Sequence, residues 1–290
     1  MLIKYGYNIS IICQQPTPMI LRLDIHADEA WRAHQINPLG ISPQLSVHEF
    51  NDAFGNRARR FLAPSGQTSF FAEGIVSDDG SGDRFVPTAC ETPVAQLPTE
   101  VLQYLLASRY CDTDLLSPLA WQLFGNVAPG WPRAQAICNY VHQVIRFDYN
   151  HARNTRTASE AHAERVGVCR DFAHLAIAFC RCMNIPARYV NGYLGDIGVP
   201  ANPAPMDFSA WFEVYLGEWY TLDARHNHPR IGRIVIARGR DAADVPMIHS
   251  FGEHQLALFE VVTHEVTPAE IASAASGPPP QSMQMQQRAA

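Results

Sequence analysis

The chain has 290 residues, 47% of them hydrophobic, and a formal net charge of −6. That is enough apolar material for a sizeable core in about two domains. The charges form no like-sign run, so neither a nucleic-acid footprint nor a polybasic membrane anchor is expected.

No stretch approaches the roughly 18 apolar residues of a membrane-spanning helix. The opening run MLIKYGYNISIICQQPTPMIL is broken by Tyr5, Asn8, Ser10 and Gln14 and has no small-residue cleavage site, so it does not read as a secretory signal. A cytoplasmic location without a membrane partner is the expectation. Seven cysteines, at 13, 90, 111, 138, 169, 180 and 182, are scattered without C-x-x-C pairs. They are expected to be reduced and mostly buried. Cys180 and Cys182 project about 200° apart on a helix and cannot share a ligand on one face. No metal and no cofactor is expected.

Residues 2 to about 93 show β-rich, alternating stretches (LIKYGYNISII, MILRLDI, QLSVHEF, ARRFLAP, SFFAEGIVS) separated by prolines and glycines. This pattern predicts an antiparallel β-sandwich or barrel over 1–95. A proline-rich linker, Pro87 to Pro98, follows. Helices are predicted from an N-cap at Thr99, from Ser117-Pro118 to Gly125, from about Pro132 to Val144, and near Thr157 to Arg165. A fifth begins at Cys169, carries Phe172, Leu175, Ala176, Phe179 and Met183 on one face, and stops at Asn184 before Pro186. Strands are predicted at Ala187–Leu194, Ser209–Leu216, Trp219–Asp223 and Leu256–Thr263, with a Gly/Pro loop over 195–206. The division is therefore 1–95 β-rich, 96–265 α+β core and 266–290 a disordered tail.

The run Gly167-Val168-Cys169-Arg170-Asp171-Phe172-Ala173-His174-Leu175 seats a cysteine where an extended segment turns into a helix. Free N–H groups and the positive helix end there favour thiolate, which predicts a lowered thiol pKa. His174, five residues on, lies about 140° around the helix and is expected to hydrogen-bond within the domain.

Together GVCRDFAHLAIAFCRCMNIPARYVNGYL, DFSAWFEVYL and WYTLDARHN resemble the bacterial transglutaminase-like, papain-related cysteine enzymes over roughly residues 99–240. The resemblance implies helices packed on an antiparallel sheet, preceded by a β-rich region. It implies Cys169 as nucleophile and Asp223 as the group that orients the base. The family base is a histidine in His-Ala-Trp-x-Glu-Val, but this chain reads Ser209-Ala210-Trp211-Phe212-Glu213-Val214. A serine cannot take and return a proton near neutral pH. His226 is the candidate substitute base; the alternatives are Asp223 acting alone or a site that binds without turnover.

The implied function is amide or peptide hydrolysis, or transamidation, through a Cys169 acyl-enzyme acting on a peptide or protein. The alternative is a catalytically impaired binding or scaffold protein of the same fold. Trp211 is a candidate for lining a substrate groove, although hairpin aromatics against a helix are more often core. Register supplies a geometric criterion. A three-residue turn pairing Tyr215 with Trp219 sets Asp223 opposite Trp211, on the side of Ser209, whereas a two-residue turn puts Ser209 and Asp223 on opposite faces.

Overall fold

The computed structural model describes residues 1–267 and residue 270. The expected tail, 266–290, lies almost wholly outside the described residues. β1 (Leu2–Cys13) carries Ile3, Tyr5, Tyr7, Ile9, Ile11 and Cys13 at every second position, and all six are buried. That period of two is what a strand with one face on a core requires. β2 (Thr17–Leu21), β3 (Ala33–Ile36), β4 (Gly40–Ser42), β5 (His48–Asn51), β6 (Arg57–Ala63) and β7 (Gly66–Ser77) complete the N-terminal set.

Residues 94–105 form short 3-10 turns where an α-helix from Thr99 was predicted. α1 (Thr113–Phe124) starts a turn earlier than the Ser-Pro signal and takes Pro118 inside it. The proline is tolerated because Asp114, whose carbonyl loses its intrahelical partner, is exposed to water. α2 (Trp131–Val144), β8 (Arg146–Phe147), α3 (Ala158–Glu164) and β9 (Val166–Gly167) lead to α4 (Cys169–Cys182). Thr157 and Glu160 form a reciprocal capping box on α3. After α4, Asn184 takes φ +61°, the left-handed stop position.

β10 (Ala187–Tyr193), β11 (Ser209–Tyr215), β12 (Trp219–Leu222) and β13 (Ile234–Gly239) form one antiparallel sheet in the order β12-β11-β10-β13. α4 lies on it and is covered by α1, α2 and α3 from the other sides. Nearly every residue from Asp171 to Cys182 is therefore buried, where the sequence suggested a single core stripe.

The last strands, β14 (Ile248–Ser250) and β15 (His254–Glu265), pair with β2 and β1. The segment 248–265 thus completes the two N-terminal sheets, whose orders are β14-β2-β6-β5 and β15-β1-β7-β3 with β4 also on β7. Tyr193 joins the halves: its ring lies 5.2 Å from Tyr5 and 5.1 Å from Phe208. One continuous apolar cluster runs from Ile3 through Phe179 to Val261. The architecture is α+β, as expected.

Candidate active site

Cys169 is placed by a small, tightly specified device. β8 and β9 pair in parallel, Phe147 against Gly167, and the chain turns into α4 two residues later. The Asp171 carboxylate reaches back to the Val168 N–H at 2.9 Å and takes Arg156 Nη1 at 2.9 Å, with Asp171 fully buried. A Cβ at position 167 would lie 2.6 Å from the Asp171 side chain, so glycine is what lets this carboxylate close the turn. The Arg156–Asp171 pair locks the helix start beneath Cys169.

Cys169 itself is half-buried and opens onto a cavity of ≈ 570 Å³. Ser209, Asp207, Asn191, Arg170 and Arg153 share its lining. Burial pushes the Cys169 thiol up to about 11, while the Arg225 guanidinium and the Ala210 backbone act in the opposite direction and Asp207 adds to the rise. Loss of water thus acts against the lowering expected at the helix start.

Ser209 starts β11 with its Oγ buried and without a hydrogen-bond partner. No imidazole takes its place, since the cavity lining contains no histidine. Tyr215 pairs with Trp219 and Phe212 with Leu222, the three-residue-turn register; β12 ends there, and Asp223 follows one residue past the last pair. Gly217, at φ +86°, makes that turn.

Asp223 has every acceptor position occupied. Its Oδ2 takes Arg233 Nη2 at 2.9 Å and His226 Nδ1 at 2.8 Å; its Oδ1 takes the N–H groups of Arg225 at 3.0 Å and His226 at 3.2 Å. Burial works to raise this carboxyl, but Arg233 and His226 outweigh it and hold it far below the usual carboxylate range. Asp223 lines a separate, smaller cavity of ≈ 220 Å³ with Trp131 and His228. His226 is bound to Asp223 and belongs to neither the ≈ 570 Å³ cavity lining nor the groups that set the Cys169 thiol. His174 is buried, accepts the Ala242 N–H at 3.1 Å and stacks on Tyr110 at 5.0 Å, as an internal hydrogen-bonding role requires.

Trp211 corrects its candidacy as a groove residue. It is 1% exposed, clusters with Val190 and Val235, and lies under the Arg233 guanidinium at 4.8 Å. A fully enclosed ring cannot line an open groove. Glu213, in the same motif, is buried against Arg188 at 2.5 Å and Arg238 at 3.2 Å, which makes it a structural charge.

Sequence reasoning did not single out Arg170, Asp207 or Arg225. Arg170 and Asp207 flank the two motif positions, Cys169 and Ser209, and Arg225 follows Asp223 in DARHN. Arg225 lies over Phe147 at 3.9 Å, and that ring is the strand partner of Gly167.

Residues 119–224 match the family model of the transglutaminase-like superfamily. A crystal structure from Cytophaga hutchinsonii, of a protein described as a candidate cysteine protease, superposes with a TM-score of 0.78 at 29% identity, covering 92% of this chain and 93% of that one. Uncharacterized proteins of Mycobacterium tuberculosis and Mycobacterium bovis are 36% identical over 116 residues, 35% of this chain and 37% of theirs. A Mycobacterium leprae relative is 35% identical over 82 residues, 27% of this chain and 29% of its own. The matched region thus spans 37% of the length of the first two relatives and 29% of the third. The chain carries a domain of the transglutaminase-like superfamily, on a fold shared with that cysteine-protease candidate.

Proposed function

We propose that this chain is a cysteine acyl-transfer enzyme that acts on amide carbonyls of peptides or proteins through Cys169, and whose rate rises toward alkaline pH. One observation carries the reading: Cys169, a half-buried residue at the first position of α4, lines a ≈ 570 Å³ cavity at the family's nucleophile position. In the step proposed, the Cys169 thiolate adds to the carbonyl carbon and the C–N bond breaks. The amine leaves with a proton from solvent, and a thioester remains. Water then yields the acid, or an amine yields a new amide. The Cys169 N–H, in the first turn of α4 and without an intrahelical acceptor, is placed to bind the oxyanion.

With Ser209 in place of histidine, no imidazole shares the proton, so rate follows the ionisation of a thiol raised to about 11. The test is hydroxamate and p-nitroaniline formation from a panel of glutamine peptides and peptide p-nitroanilides, with hydroxylamine as acceptor, between about pH 7 and 10. Turnover that climbs across this range and vanishes in Cys169→Ala is expected. The absence of an imidazole from the cavity lining favours a second reading, a binding protein of the same fold. Peptide binding with no turnover at any pH would select it.

A further inference from the structure

Two half-buried arginines lack a partner of opposite charge among the described residues: Arg170, which lines the Cys169 cavity, and Arg225, which packs on Phe147 next to the strand that leads into Cys169. Arg170, next to the nucleophile, packs on Tyr110 with its guanidinium 5.5 Å from the ring centre; its Nη2 donates to the Arg153 carbonyl and its Nε is buried without a partner. Arg225 lies over Phe147 at 3.9 Å, beside the Gly167 strand position that leads into Cys169. Among the described residues, neither guanidinium is within ion-pair distance of a carboxylate. Other cations around the site are neutralised: Arg153 by Glu160 and Glu164, each at 2.9 Å, and Arg156 by Glu164 and Asp171, each at 2.9 Å.

The chain holds 28 acidic against 22 basic residues, so a shortage of carboxylates does not explain the two vacancies. Withdrawing a guanidinium from water without a counter-charge is costly unless a ligand supplies one. The single carboxylate on the cavity lining, Asp207, is exposed and outside ion-pair range of both. Arg225 does reach the cavity electrostatically, favouring the charged forms of both Cys169 and Asp207.

We propose that Arg170 and Arg225 form an anion frame around Cys169 and select an acyl donor that carries a carboxylate next to the reacting carbonyl, as an acidic peptide does. Arginine suits this role because its planar fork matches a carboxylate in two hydrogen bonds. The inference rests on the acyl-transfer reading for its biological meaning, but its test needs no turnover.

The probe is the pair iodoacetate and iodoacetamide, one anionic and one neutral, with labelling at each cysteine followed by peptide mass spectrometry on the full chain. Both reagents need the same thiolate, so the ratio of their rates cancels thiol ionisation. Exposed Cys90 serves as an internal reference. The iodoacetate-to-iodoacetamide ratio at Cys169 should exceed that at Cys90 by about tenfold, the scale of a charge-assisted hydrogen bond. It should fall with added salt, drop about fivefold or more in Arg225→Gln and in Arg170→Gln, and be largely retained in Arg225→Lys. A ratio no higher than at Cys90, or one unchanged in the double glutamine variant, overturns the frame. A preserved ratio without amide turnover would sink the enzymatic reading alone.

Discussion

Two charged clusters, one around Asp223 and one around Cys169, are built in opposite ways. Around Asp223 all acceptor positions are filled, and Arg233 is shared with Asp83 at 2.9 Å and 3.1 Å. Around Cys169 the set is left open: Ser209 Oγ and Arg170 Nε are buried without partners, and among the described residues the Arg170 and Arg225 guanidinia have no counter-charge. The first cluster has its carboxylate fully partnered and leaves Arg233 Nη1 as a buried donor without a partner, whereas the unpartnered groups around Cys169 border an open cavity that a ligand can enter. Asp223 holds His226 in the closed cluster, and Cys169 stands in the open one.

Breaking the closed cluster should have the largest effect on stability. Arg233→Met leaves Asp223 and Asp83 facing each other without their cation and should cost about 3–5 kcal/mol at neutral pH, read by urea denaturation. Because the Asp223 carboxyl is depressed in the folded chain, its contribution is present above the ordinary aspartate value near about 4 and is lost as pH falls below it. The gap between wild type and Arg233→Met should therefore shrink in acid. A gap that persists unchanged below about pH 3 would show that Arg233 acts through packing.

Ser209→His restores an imidazole to the open cluster. It should speed iodoacetamide labelling of Cys169 near pH 7 by about tenfold, equivalent to about 1.4 kcal/mol, and leave the unfolding midpoint little changed. The smallest effect is expected for His226→Ala, which removes one hydrogen bond from Asp223 while Arg233 remains. The stability loss should be about 1 kcal/mol, with Cys169 labelling unchanged within about twofold. A large fall in labelling would make His226 the base after all and merge the two clusters into one site.

How much of this was legible in the sequence depended on whether the signal was local. The period-two burial of β1, the capping of α3 by Thr157 and Glu160, the Asn184 stop and the helix start at Cys169 all follow from neighbouring residues. The pairing of β15 with β1 joins positions as far apart as Ile3 and Glu265, for which no local pattern exists. The thiol's position at the helix start was readable, but its burial was not, since the covering residues come from β10, β11 and the segment before β11. Core or groove was left open for Trp211 for the same reason: which one a hairpin aromatic becomes depends on what Arg233 and Val235 place over it. Arg225 gained meaning only through Phe147, 78 residues earlier, and its parallel pairing with Gly167.

The most direct test of the account is the pH dependence of Cys169 alkylation by iodoacetamide between about pH 6 and 11, with Cys169→Ala as the blank. A nucleophile without a histidine partner should label slowly at pH 7, rise steadily through pH 9 to 10, and approach its plateau only near the raised value of about 11. The same profile in Ser209→His should move toward neutral pH. Fast labelling that is already at its plateau below about pH 7 in the wild-type chain would contradict the account, because it would require a base at Cys169, or a pairing with Arg170 or Arg225 strong enough to outweigh the burial of the thiol.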